Sequence, residues 1–69
     1  MAMSSLLDLT GRIVAHRTTQ QLGKVLETDF SNVSRPRYLV AFTGYKTASW
    51  QSLLTIRLAT RLEVLVHNA

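Results

Sequence analysis

The 69-residue chain has no cysteine, one proline, three glycines and only 7% aromatic residues. Without cysteine there is neither a disulfide staple nor a thiolate metal site, which excludes a disulfide-dependent secreted scaffold. A cytoplasmic protein is the expectation. The single proline, Pro36, lies in the short stretch SNVSRPR, and no low-complexity tract or repeat occurs, so the chain reads as one unit without a linker. No apolar run approaches the length of about 20 residues that a membrane helix needs. The opening MAMSSLLDL has no basic segment and no small-residue cleavage pattern, so it does not read as a signal peptide. Acidic residues are scarce as well: four Asp and Glu stand against eight Lys and Arg, a net charge of +4. That balance favours anionic partners but is modest beside dedicated nucleic-acid binders.

What is present is apolar: 46% of the residues are hydrophobic. A domain this small buries only roughly 60% of the surface its unfolded chain exposes, so its stability is marginal and a partner or a second copy could supply missing burial. Residues 1–10 read as an N-terminal extension and residues 11–69 as one small domain. GRIVAH, residues 11–16, suits a first strand after a turn glycine, and TTQQ makes a polar connection. In LGKVLETDF, Leu22, Leu26 and Phe30 share one parity and are expected on the buried face. Gly23 there suits a β-bulge or a positive φ, where a strand bends around a small barrel, with a hairpin-turn glycine as the other reading. YLVAF, residues 38–42, is apolar on both parities and suits a central strand. TGYK follows as a turn.

The last third fits two templates. Trp50, Leu54, Leu58 and Leu62 recur every four residues, as in a helix, while Trp50, Leu54, Ile56 and Leu58 share one strand parity. The β-branched content and the preceding hairpins favour a strand near residues 47–51, a short helical turn near 52–55 and a closing strand near 61–66. The fold class expected is mostly β: a small five-stranded SH3-like barrel with a short helical turn before the last strand.

Within that class the stretch LTGRIVAHRTTQQLGKVLETDF resembles the opening of a PRC-barrel domain, with Leu9, Gly11, Val14, Leu22, Gly23 and Val25 on its pattern. RYLVAFTG and SWQSLLTI can be laid over the following strand and the aromatic-led segment, so the resemblance covers most of the chain. It implies a docking or scaffold module and no catalytic residue.

The chemistry-bearing residues agree with that implication. His16 and His67, the only histidines, lie near opposite ends of the chain without a third ligand at metal spacing, and no cofactor motif is present. Glu27 and Asp29 share a strand face, as solvated strand residues commonly do. Arg35 and Arg37 flank Pro36, Lys46 follows Tyr45, and Arg12 and Arg17 bracket the first strand. Trp50, Tyr38 and Phe42 are expected to fill the core, and Leu39, Ala41, Leu53 and Leu65 to face outward. The alternative for the outward set is that Leu6, Leu7 and Leu9 fold back over it. The function expected is a non-catalytic protein-interaction or adaptor domain, self-associating, with an apolar patch and a basic rim built from Arg35, Arg37, Lys46, Leu39, Leu53, Leu65 and Tyr45. A small basic barrel binding RNA or DNA is the alternative, and an enzyme whose active site forms only in an oligomer is the third reading.

Overall fold

The structure, a computed structural model, describes residues 8–69. Five strands and one helix follow in order: β1 (Ile13–His16), β2 (Leu22–Asp29), β3 (Arg37–Phe42), β4 (Ser49–Gln51), β5 (Ile56–Leu58) and α1 (Arg61–Asn68). All strand pairings are antiparallel, and the sheet runs β4-β3-β2-β1-β5. This is the mostly-β, five-stranded barrel expected, with the turn at residues 53–55 preceding the last strand. Leu9, Val14, Val25, Tyr38, Val40, Phe42 and Ile56 form the core, with Leu53 packed against it from the turn. Leu9, read from the sequence as part of an extension, thus belongs to the core. Leu6 and Leu7 lie outside the described residues.

β2 corrects two expectations. Its inward residues are Gly23 and Val25, so Leu22, Leu26 and Phe30 do not form the buried face, and Leu26 is largely exposed. The register slips at Leu26: Val25 lies opposite Val40 and Glu27 opposite Leu39, so the bulge sits three residues after the glycine. Gly23 itself is not in the positive-φ region, unlike Gly11 and Gly44 in their turns. It is needed because a Cβ there would stand 2.7 Å from Val40 Cγ1 and 2.9 Å from the Ala41 carbonyl. Close approach of β2 to β3, rather than backbone bending, selects glycine.

β3 is an interior strand, flanked by β2 and β4, as its double apolar parity implied. Tyr38, Val40 and Phe42 face inward while Leu39 and Ala41 lie half-buried on the outer face. The Tyr38 hydroxyl is buried with no hydrogen-bond partner among the described residues. Burial, reinforced by the charge of Asp8, raises its pKa. The barrel's ends are tied by side chains: Asp8 accepts from the Thr10 amide (3.0 Å) and from Thr28 Oγ1 (3.2 Å), joining the first described residues to β2.

The closing strand is Ile56–Leu58, not residues 61–66, which form α1. Thr60 and Glu63 explain the difference. Thr60 Oγ1 accepts from the Glu63 amide (3.2 Å) and Glu63 Oε1 accepts from the Thr60 amide (2.8 Å), a reciprocal capping box that satisfies two orphan donors of a nascent helix. Arg57 then donates to both Glu63 oxygens, at 2.8 and 3.0 Å, fixing the helix start to β5. These bonds, led by that from Arg57, hold the Glu63 carboxyl down from an ordinary 4.5 to about 2.

Gly23→Ala is expected to cost about 1–3 kcal/mol in urea unfolding, because Val40 and the Ala41 carbonyl leave no room for a methyl group. A folded-state pKa below the unfolded one stabilises the protein above the unfolded pKa and ceases to do so as pH falls through the folded one. The thermal midpoint should therefore fall between pH 4.5 and about 2, the window set by Glu63. Glu63→Gln should melt below wild type at pH 7, with the gap closing toward pH 2.

Candidate functional site

Two connections on one side of the barrel enclose a groove of about 700 Å³. One wall is the β2–β3 loop, with Asn32, Ser34, Arg35 and Pro36; the other is the β4–β5 turn, with Ser52, Leu53 and Leu54; Arg37 also lines it. Both walls are held locally. Asp29 Oδ1 accepts from the Ser31 amide (2.9 Å), Asn32 Oδ1 from the Ser34 amide (3.2 Å), and the Asn32 carbonyl from the Arg35 amide (2.9 Å). Such side-chain-to-backbone bonds are why Asp, Asn and Ser populate turns. In the opposite wall the Ser52 carbonyl accepts from the amides of Thr55 (3.0 Å) and Ile56 (3.1 Å), and Thr55 Oγ1 donates to Gln51 Oε1 (2.8 Å). Arg17 anchors the same turn to the end of β1: its Nε donates to the Leu53 carbonyl at 2.9 Å, and its amide to the Thr55 carbonyl at 2.8 Å.

The pinned turn holds its two leucines in opposite senses. Leu53 points into the core, so it is not the outward residue expected from the sequence. Leu54 is 88% exposed, the most exposed large apolar residue among those described. Across the groove the two arginines differ in charge balance. Arg37 donates to Asp29 Oδ2 at 2.8 Å, and its guanidinium lies 5.1 Å from the centroid of the Trp50 ring. That hydrogen bond is the main reason the Asp29 carboxyl drops from 3.8 to about 2. Arg35 is exposed and has no acidic partner among the described residues, which leaves the groove with a net positive rim.

Trp50 is the other correction. It pairs with Leu39 on the outer face of the sheet and is 44% exposed, whereas Tyr38 and Phe42 are core as expected. Parity explains the reversal: Val40 and Tyr38 face inward on β3, so their neighbour Leu39 and its partner Trp50 face outward. Leu39 and Trp50, with the Arg37 guanidinium over the ring, therefore make a platform beside the groove.

The structure thus gathers Arg35, Arg37 and Leu53 at the groove, with Leu39 on the adjoining platform. Tyr45 and Lys46 sit in the β3–β4 turn; Tyr45 lines a separate cavity of about 270 Å³ with His16 and Phe42. Leu65 lies on α1. Of the basic residues, Arg17, Arg37 and Arg57 are each engaged by a carbonyl or carboxylate. Leu54 and Trp50 were missed as groove and platform residues. Ser52 and Thr55 mark the turn that carries the two leucines, but the motif does not say which of them faces the core.

Among the described residues, no three of His, Cys, Asp and Glu lie close enough together to hold a metal ion. Asp29 is taken by Arg37, which separates its role from that of Glu27. His16 Nδ1 accepts from the amides of Thr18 (3.1 Å) and Thr19 (3.3 Å), so a proton on the neutral ring resides on Nε2. No described helix is long and apolar enough to cross a membrane. Comparison of the chain with protein-family models, curated proteins and solved structures finds no match.

A core tryptophan would cost roughly 3–5 kcal/mol on truncation. On the outer face, under the Arg37 guanidinium, Trp50→Ala should cost about 1 kcal/mol in urea unfolding.

Proposed function

We propose that the protein is a non-catalytic interaction module that docks an extended polypeptide segment carrying an apolar side chain beside an acidic one. The observation that carries this reading is Leu54, presented to solvent by a turn held by hydrogen bonds at Ser52, Thr55 and Arg17, opposite the unpaired Arg35. A turn whose backbone is already fixed loses little backbone freedom when a partner arrives, so more of the Leu54 burial is returned as affinity. Leu54, Pro36 and the Trp50–Leu39 platform supply apolar area, and Arg35 selects and steers a carboxylate. The groove's volume suits a few side chains rather than a folded surface. The resemblance of residues 9–25 to PRC-barrel domains supports the same class of role.

The groove offers little for nucleophilic or acid–base chemistry: its charged groups are arginines, and its serines have no histidine or free carboxylate beside them. Nucleic-acid binding receives less support, because stacking needs exposed rings next to free cations. Trp50 already carries Arg37 on its face, and the exposed Tyr45 beside Lys46 is a single ring and cation in another turn rather than a run of stacking sites.

The test is an array of random extended peptides probed with labelled protein at 0.15 M salt. Wild type should retain peptides that pair an aromatic or aliphatic residue with Asp or Glu; Leu54→Ser and Arg35→Ser should each lower retention about tenfold while keeping the wild-type fold. Retention unchanged in both variants would remove the groove from the function. Binding of a mixed oligonucleotide pool alone, abolished by high salt, would replace this reading with the nucleic-acid one.

A further inference from the structure

Helix α1 has no buried residue. Val64, His67 and Asn68 turn toward β1 and β2, where they share a shallow cleft with Arg12, Ile13 and Lys24, and Glu63 is held by Arg57. The opposite face carries Leu62, Leu65 and Val66, which are 70%, 62% and 62% exposed, with Ala69 one further turn along. This i, i+3, i+4, i+7 spacing makes one continuous apolar stripe, and the part-exposed Leu58 extends it onto β5. The four large side chains together expose on the order of 400 Å², well within the range of the largest patches that whole monomers leave open, although this chain has only 69 residues.

We propose that this stripe is covered by the same stripe of a second copy, the two α1 helices crossing antiparallel about a two-fold axis near Leu65 and Val66. Three features select this occupant and this direction. The stripe is apolar throughout and hence self-complementary, as an isologous contact requires. Its one neighbouring carboxylate, Glu63, is already neutralised by Arg57, so the face holds no unpaired acid that would call for a foreign cation. Arg61 is exposed at the start of the helix, on the flank of the stripe. Antiparallel crossing places Arg61 beside the partner's last-turn carbonyls, twice over, matching a cation to the negative end of a helix dipole. A parallel arrangement would align the two dipoles and bring like ends together.

An eight-residue helix is also too short to be stable without tertiary support. On its own domain α1 has only the capping box, the Arg57 bridge and the half-buried Val64 and His67. The area sets the strength. Two such stripes bury about 800 Å² in total, below the 1,200 Å² at which standard interfaces begin, so the dimer is a weak, reversible one. The surface is separate from the loop groove, so this inference stands independently of the proposed docking role.

Because the chain has no cysteine, single introduced cysteines report the geometry directly. Sedimentation of wild type from 10 μM to 1 mM should show mass rising toward twice the monomer, with Leu65→Asp monomeric throughout and the groove variant Leu54→Asp unchanged from wild type. Under mild oxidation Leu65→Cys should cross-link to itself, and Leu62→Cys should cross-link to Ala69→Cys in a mixture but not to itself. Self-linking of Leu62→Cys would overturn the antiparallel arrangement. A wild-type chain monomeric at 1 mM would overturn the dimer, as would a dimer indifferent to Leu65→Asp. If Leu6→Ser with Leu7→Ser in the full chain turned a monomer into a dimer, the occupant of the stripe would be the N-terminal segment and the proposal would fail.

Discussion

The close approach of β2 to β3 at Gly23 is the constraint on which the rest of the barrel depends. With no side chain at this position, the Val40 methyl and the Ala41 carbonyl come within the space a Cβ would occupy. The inward residues Val25, Val40 and Phe42 can then close over Tyr38 and Ile56 in a core of very few side chains. The bulge at Leu26 follows from the same pairing. It shifts the remaining register so that Asp29 arrives opposite Arg37, and the ion pair that orients Arg37 over Trp50 follows from that register. A packing requirement in the middle of the sheet thus decides which charges meet at its end.

The arginines divide into those that build the molecule and those left to act on others. Arg17 holds the β4–β5 turn, Arg57 fixes the helix, and Arg37 is shared between a carboxylate and an aromatic face. Replacing any of these by lysine would lose the planar fork that lets one side chain satisfy several acceptors or lie flat on a ring. The basic character of the sequence is therefore partly structural, and the cations open to a partner are fewer than the net charge suggests.

Much of the fold was legible because its signals are local. The turn residues around Gly11 and Gly44 and the double apolar parity of residues 38–42 each point to one answer, and the structure contains all of them. The errors arise where a signal depends on what lies across the sheet. Alternation within residues 22–30 could not show that the parity of Gly23 and Val25, which carries less apolar surface than that of Leu22 and Leu26, is the one facing inward, and glycine's bend and close-approach roles look alike until Val40 is seen above it. Residues 61–66 were read as a strand because Val64, Leu65 and Val66 are β-prone, yet the Thr60-x-x-Glu63 capping signature was present and outweighs propensity once Arg57 is nearby. Of the site, Arg35 and Arg37 were legible from their place around Pro36. Trp50 and Leu54 were not, since an aromatic or a leucine in a small domain is read as core until its register is known.

The order of the sheet also bears on how the chain opens and closes. β4 and β5 are its two ends, and among the described residues they are joined through the turn between them rather than by a ladder of their own. The middle of the ribbon, β1 with β2 and β2 with β3, pairs neighbours in the chain, whereas β1 with β5 brings Val14 to Leu58 across most of the sequence. Loop closure of that length is entropically expensive and is repaid late. With the longest ladder in the sheet, β2–β3 is the pairing hardest to open, whereas the β5–α1 arm is held by a three-residue ladder and a helix without a buried residue.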